Sequence, residues 1–356
     1  MKKHAIIPVF IPHRGCPNDC VFCNQKAITA RQPDVTPSDV RGIIETYLPT
    51  LTGRGLDTIE VAFFGGSFTG LPVDEQSAFL SVASEYKKNG LIDKIHMSTR
   101  PDYIDTEILD NLRFWGADTI ELGVQSFDDG VLAAAGRGHT AEDVYRACDL
   151  IHQYGFELGI QLMIGLPGDS LEKCLYSSRE TVRMNPSIAR LYPTIVLQDT
   201  ALYDMTAAGL YHPLTTEEAV AITKEMYRIL AGAGINIIRV GLKSTDLISG
   251  SGEDSDQTWG HTYHPAFRQL VEGEIAREDI EALLADIGFA LGEDTVPPAD
   301  NEKRRITVYS NGVSFSNMIG NSACNRRYFE EKYPHLSVRF AVDDSLPDMT
   351  FRVSES

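Results

Sequence analysis

"HRGCPNDCVFCNQ", residues 13–25, sets three cysteines, Cys16, Cys20 and Cys23, within a single short loop. The stretch directly follows an apolar run, "AIIPVFI" at 5–11, which reads as a first strand. Its Gly, Pro and Asn residues mark a loop at the end of that strand. A disulfide uses two sulfurs, and a structural zinc site takes four protein ligands in two pairs. His13 is a candidate fourth zinc ligand, but the spacing is not that of a zinc finger. Unrelated buried thiols do not crowd into a turn-forming loop.

Composition bounds the answer. The chain has 356 residues, of which 43% are hydrophobic and 23% charged, so one large domain with a smaller one is expected, globular rather than disordered. No apolar run approaches the ~20 residues of a membrane helix. The start, "MKKHAIIPVFIP", has the basic opening of a signal peptide, but Pro8 and Pro12 interrupt its apolar run and no small-residue cleavage site follows. The expectation is therefore a cytoplasmic protein with reduced thiols and no membrane association. Cys148, Cys174 and Cys324 are scattered and read as small buried hydrophobes. The net charge of −18 disfavours unspecific attraction to nucleic acid or anionic membrane.

Outward from the cysteines, strand-like runs alternate with helical patterns. Strands are expected at 5–11, 58–64, 94–99, 119–124, 157–164 and 189–196. Helices are expected near 37–51, 74–88, 104–114, 141–154, 170–184 and 216–233. Thr36 precedes Pro37, and Thr140 and Thr215 each precede an acidic residue three positions on (Asp143, Glu218), as helix caps do. Near-continuous apolar strands in β–α alternation make a parallel sheet with helices outside it. Six such units give a barrel, part of one, or a doubly wound open sheet. In each of these, ligands bind at the C-terminal strand ends, where the cysteine loop lies. A polar break at 248–260 leads into helices and then a small strand–helix–strand unit. The expected domains are 1–245 and 246–356.

Three thiolates suit an iron–sulfur cluster, holding three irons of a cubane and leaving one open for a ligand. Other motifs fall at later strand ends. "FFGGSFTG" (63–70) follows the second strand, where glycines allow close backbone approach. "MSTRPDYI" (97–104) follows the third, "ELGVQS" ends the fourth with Gln125 and Ser126, and "GRGH" puts Arg137 and His139 just before a helix. An arginine there can bind a carboxylate bidentately. "GIQLMIGLPGD" (159–169) ends the fifth strand.

The C-x3-C-x2-C pattern with Phe22 before its last cysteine resembles the radical S-adenosylmethionine (SAM) superfamily. "TRPD", "LGVQS", "RGHT", "GLPGD" and "LYPTIVLQDTALY" (191–203) together are similar to the radical SAM domain of the Elongator catalytic subunit, over roughly residues 5–270. The resemblance implies a partial (β/α)6 barrel with a small C-terminal α+β extension. It implies a 4Fe–4S cluster on Cys16, Cys20 and Cys23 and SAM as cofactors. Gly65, Gly66, Ser67 and Thr69 would hold the methionine amino end, Arg137 the carboxylate and Gln161 the ribose. Gly165 and Leu166 would face adenine, and Phe22, Arg100, Gln125 and Ser126 would complete the site. That family continues into an acetyltransferase domain, which the roughly 100 residues after the barrel are too few to hold.

The implied activity is reductive cleavage of SAM to a 5′-deoxyadenosyl radical, with an external one-electron donor, a ferredoxin or flavodoxin. Apolar strand residues such as Leu122, Leu158 and Leu162 are expected to line the barrel and shield that radical. The resemblance implies a tRNA substrate. Basic residues Lys303, Arg304, Arg305, Arg326 and Arg327, interleaved with Tyr328 and Phe329, would contact it, with a solvated helix face as the bland alternative. The net charge favours instead a small molecule or protein, as in the related coproporphyrinogen oxidases. A non-catalytic cluster protein is the remaining alternative. His261 and His264 could serve the substrate side or only begin a helix.

Overall fold

In a computed structural model, the structure describes residues 4–11, 16, 20–23, 35–242, 258–259, 262–288 and 303–355. Of the residues named above, Pro12, His13 and His261 lie outside these. The chain divides into two compact units, the first built from residues 1–215, 225–240 and 244–262, the second from 216–224, 241–243 and 263–356.

The first unit carries one parallel sheet. Its strands are β1 (His4–Ile11), β2 (Thr58–Gly65), β3 (Lys94–Thr99), β4 (Thr119–Gln125), β5 (Glu157–Ile164), β6 (Ile188–Pro193) and β8 (Asn236–Val240). They lie side by side in chain order, each paired in parallel with its neighbours in the list. Parallel neighbours need right-handed crossovers, so with sequential order the connecting helices all fall on one face. The other face is free of them and forms the concave side of a curled half-barrel. The connecting helices include α1 (Pro37–Leu51), α2 (Val73–Lys88), α3 (Thr106–Phe114), α4 (Asp129–Ala134), α5 (Ala141–Gln153), α6 (Leu171–Arg183) and α7 (Ala201–Ala207). Thr36 and Thr140 both close full capping boxes, with Asp39 and Asp143.

Two departures from the sequence reading have local causes. The expected strand at 189–196 splits after Pro193, which lacks the N–H to continue a ladder. The remainder, β7 (Val196–Leu197), pairs antiparallel with β9 (Thr258–Trp259). A seventh parallel strand, β8, follows the helix α8 (Thr216–Gly232) and extends the sheet beyond the six expected strands.

Side chains alternate across a strand. Ile7, Val9, Val61, Phe63, Leu122, Leu158, Ile160 and Leu162 are fully buried on the helix-covered side. Glu60, His96, Glu121, Gln161 and Arg190 project from the concave side, where they contact one another. This corrects the expectation that Leu122, Leu158 and Leu162 line the barrel: they are the residues beneath its helices.

The second unit adds the expected strand–helix–strand element and one further strand. Strand β10 (Arg304–Ser310) pairs parallel with β11 (Leu336–Val342) and antiparallel with β12 (Arg352–Glu355). Helix α9 (Phe267–Asp286) contributes Ala276, Ile280 and Leu284 to a core with Ile306, Val308, Met318 and Phe329.

Candidate functional site

The cysteine loop is held by its neighbours' backbone. Val21 donates its N–H to Ala135 O (3.1 Å), its carbonyl accepts from Leu202 N (2.7 Å), and Cys23 N donates to Cys20 O (2.9 Å). Phe22 packs against Val131, Ala135 and Leu166 on one side and Val196, Leu202 and Tyr211 on the other. Leu166 is thus a buried support under the loop. Cys20 is buried, Cys16 and Cys23 half-buried, and none is in a disulfide. Among the described residues no three His, Cys, Asp or Glu side chains stand already arranged around a metal position.

Two buried arginines converge on this loop. Arg100, at the end of β3, donates from Nε and Nη2 to the two carboxylate oxygens of Asp102 (2.9 Å each). Its Nη2 also reaches Arg137 O at 2.5 Å. Arg137 donates from Nη2 to Gly123 O (2.6 Å) and from Nη1 to Cys20 Sγ (3.4 Å). A Cβ at Gly123 would stand 3.0 Å from Gln125 Nε2 and 3.5 Å from Arg137 Nη2, so glycine leaves these side chains room. Burial and the Arg100 charge push the Arg137 pKa down, with Cys20 opposing. Burial also opposes the Arg100 cation, but Asp102, Cys16 and Cys20 hold its pKa above the ordinary value. His139 is pushed down to about 4 by burial, Arg137 and Arg100. It is therefore neutral near pH 7, with Nε2 facing Val124 O at 3.2 Å.

Five polar atoms near these strand ends are buried without a hydrogen-bond partner among the described residues: Arg100 Nη1, Arg137 Nε, Gln125 Oε1, His139 Nδ1 and Thr194 Oγ1. Such orphans cost free energy unless a ligand pairs with them. Gln125 also holds φ 70°, a region that non-glycine residues enter rarely and mostly at functional sites. Soft sulfur donors beside two fixed cations suit an anionic cluster, and donors and acceptors in want of partners suit a zwitterionic cofactor. The residues present therefore fit a 4Fe–4S cluster and SAM.

The glycine loop is pinned to both adjacent strands. Gly65 has φ 113°, and a Cβ there would lie 2.3 Å from Ile11 O. Gly66 N donates to that same carbonyl (3.1 Å). The Thr69 hydroxyl lies 2.6 Å from Thr99 Oγ1, and Ser67 is buried. Ser126 accepts from Asp128 N (3.1 Å) and lies 3.3 Å from Ser177 Oγ, toward α6. Gly165, with φ 78°, is clamped: its N–H donates to Asp169 Oδ2 (3.0 Å) and its carbonyl accepts from Tyr211 Oη (2.5 Å). Sequence reading missed Tyr211 and Thr194.

Gln161 is turned toward Glu121, to which its amide donates. Glu121 belongs to a polar ladder across the concave face. Glu60 lies 3.2 Å from both His4 and His96, His96 3.4 Å from Glu121, and Glu121 2.8 Å from Arg190 Nε. Burial disfavours every charge here, yet mutual pairing wins. Glu60 is held down to about 2 by His4 and His96, and His96 is raised to about 9 by Glu121 and Glu60. Glu121 is lowered against its burial by His96 and Arg190. The available signal was one polar residue inside each apolar strand.

The C-terminal basic residues are not a uniform surface. Arg304 pairs with Glu355 (2.6 Å), Arg327 donates to Ser322 O (2.6 Å), and Arg326 lies over Phe340. Phe329 is wholly buried and cannot stack on a base. His264 accepts from Ala266 N (3.1 Å), just before α9.

Residues 10–176 match the family model of the radical SAM superfamily, and residues 186–277 that of the Radical_SAM C-terminal domain. A tRNA uridine(34) acetyltransferase from Methanocaldococcus jannaschii is 27% identical over 260 residues, 61% of this chain and 47% of that protein. Elongator complex protein 3 from Homo sapiens is 27% identical over 271 residues, 64% of this chain and 49% of that protein. The chain thus spans about half the length of these curated relatives. Elp3 from Methanocaldococcus infernus, solved with an N-terminal deletion, superposes with a TM-score of 0.54 at 23% identity, covering 68% of this chain and 61% of that one. That likeness shows the same fold. Among the described residues no helix is long and apolar enough to cross a membrane.

Proposed function

This chain belongs to the radical SAM superfamily, enzymes that work with a 4Fe–4S cluster and SAM, and from that premise we propose that it cleaves SAM reductively to modify a tRNA nucleoside. Cys16, Cys20 and Cys23 hold the cluster. The observation that carries this reading is the convergence of Arg100 and Arg137 on the cysteine loop, with buried N–H groups still unpaired. When bound, the cluster supplies the single electron that splits SAM into methionine and a 5′-deoxyadenosyl radical. The chain's own residues bind and orient. Gly65, Gly66, Ser67 and Thr69 hold the methionine amino end, Arg137 its carboxylate, and the clamped Gly165–Leu166 segment the adenine. Arg100, Gln125 and Ser126 complete the wall, and Phe22 fixes the loop. The electron comes from a ferredoxin or flavodoxin in the cytoplasm, where the thiols stay reduced. A tRNA substrate is supported by the names of the relatives, which are tRNA uridine and Elongator proteins.

Anaerobically reconstituted protein is expected to be brown, with about four irons per chain. Each of Cys16→Ala, Cys20→Ala and Cys23→Ala loses most of that iron. With dithionite and SAM, 5′-deoxyadenosine and methionine accumulate. With tRNA added, nucleoside mass spectrometry, with and without acetyl-CoA, detects a new modification. Full iron retention in all three variants, or zinc as the native metal, sinks the cluster assignment. SAM cleavage with no change in any tRNA nucleoside sinks the tRNA assignment alone and favours a small-molecule or protein substrate.

A further inference from the structure

Charge on the concave face does not balance. Arg190 is engaged on three sides: it forms an ion pair with Glu121 through Nε at 2.8 Å, donates from Nη1 to Tyr192 Oη at 3.3 Å, and lies 5.0 Å from the Phe64 ring centroid. Its register partner on β8 is Arg239, and register partners share a sheet face. Arg239 is half-buried and has no side-chain partner among the described residues. Along the ladder, Glu60 and Glu121 stand against His96, Arg190 and Arg239. His96 keeps its proton up to about pH 9, so cations exceed anions here by one near pH 7. His4 is half-exposed beside Glu60, on the opposite edge strand. At the strand starts, Lys94 and Glu157 pair with each other and leave the difference unchanged.

The groups still unspent are donors. Tyr192 Oη accepts from Arg190, and its own O–H meets no acceptor among the described residues. Burial raises the Tyr192 pKa, and Arg190 and Arg239 both act against that rise, which puts Arg239 close to the hydroxyl. The nearest carboxylate, Glu121, already serves His96, Arg190 and Gln161. A half-buried cation gives up hydration and here gains no counter-charge in return. An oxyanion would accept from the planar N–H fork of Arg239 and from the Tyr192 hydroxyl together. The position is next to the cofactor site. Tyr192 is the register partner of Met163, and Thr194, two residues on, donates its N–H to Ile164 O at 2.9 Å, just before the Gly165–Leu166 segment.

We propose that Arg239 and Tyr192 form a subsite on the concave face that holds an oxyanion of the substrate, a carboxylate or a phosphate. This rests on the reading of the chain as a SAM-cleaving enzyme and is independent of tRNA as its substrate.

The test uses anaerobically reconstituted holoenzyme with saturating SAM and no reductant, so that Arg100 and Arg137 are occupied and nothing turns over. Phosphate and acetate are titrated by calorimetry, each in chloride buffer of matched ionic strength. Wild-type protein is expected to bind one such anion per chain. Arg239→Met is expected to weaken that binding at least tenfold and Tyr192→Phe about fivefold, through loss of a charged donor and of a single hydroxyl donor. Arg239→Lys keeps the charge without the fork and should retain part of the affinity. If Arg239→Met fails to fold by circular dichroism, Arg239→Lys and Tyr192→Phe carry the test. Preference for phosphate supports the site and points to a phosphorylated substrate; preference for acetate supports it and points to a carboxylate. No binding of either anion, or binding unaltered in the folded variants, overturns the subsite. A wild-type protein that fails to cleave SAM when dithionite is added overturns instead the reading on which the subsite rests.

Discussion

At the scale of single residues, the site depends on positions where no alternative side chain fits. Gly65 combines φ 113° with a Cβ position 2.3 Å from the Ile11 carbonyl. That obstacle is backbone, so it cannot rotate away. Gly65→Ala is expected to destabilise the protein by at least about 2 kcal/mol, from the strained φ and the displaced β1–β2 junction. The check is a denaturant midpoint, with iron content measured alongside. An unchanged midpoint would show that the loop can move aside freely. Gln125 is the converse case. It tolerates φ 70° without being glycine, and it keeps Oε1 buried and unpartnered. Its backbone strain persists because the surrounding strand fixes it, which is how a residue is held ready for a ligand.

At the scale of elements, the helices do more than cover the sheet. Helix α5 begins immediately after Arg137–Gly138–His139, so the cap that starts the helix also ends the arginine's loop. Thr140 accepts from Asp143 N, and Asp143 accepts from Thr140 N at 2.9 Å. Thr140→Ala is expected to cost about 1 kcal/mol. It should also raise the SAM concentration needed for half-maximal cleavage, because Arg137 loses its downstream anchor. A loss of stability with SAM affinity unaltered would separate the cap from the site. This cap, like Thr36, was readable from the chain, because a Thr–x–x–Asp pattern is a local signal. So were the strands from β1 to β5, which read as nearly continuous apolar runs whether buried throughout, as β4 is, or on alternate residues, as β1 is. Strand β8 escaped notice because Asn236 and Arg239 break the apolar run in only five residues. The ladder escaped for a different reason. Glu60, His96, Glu121, Gln161 and Arg190 are each one polar residue in a separate strand, up to 130 positions apart. Only the register of the sheet makes them neighbours.

At the scale of the whole molecule, opposed titrations set the pH of greatest stability. His96 binds a proton more tightly folded, about 9 against 6.5, so its contribution is complete below about 6.5 and is lost as pH rises through 9. His139 does the reverse, about 4 against 6.5, so the unfolded chain takes up its proton and stability falls as pH drops below 6.5. Glu60, held at about 2 against 4.5, adds a further loss as pH falls below 4.5. Urea midpoints measured from pH 4 to pH 9.5 are expected to peak near pH 6.5. His96→Gln should flatten the alkaline limb; an alkaline limb of unchanged steepness in that variant would place the titration elsewhere. The sheet's strand order has one more consequence, for the order in which a cell can build the site. Each strand pairs only with strands next to it in the chain, so a nascent protein can add β–α units one by one as it leaves the ribosome. The cysteines emerge with the first unit, yet the backbone bonds that fasten their loop come from Ala135 and Leu202. While the chain grows from Cys23 to Leu202, then, the three thiols lack their final hold. An iron–sulfur donor that waits for the finished loop must act late, and chains stalled before residue 202 should take up iron poorly.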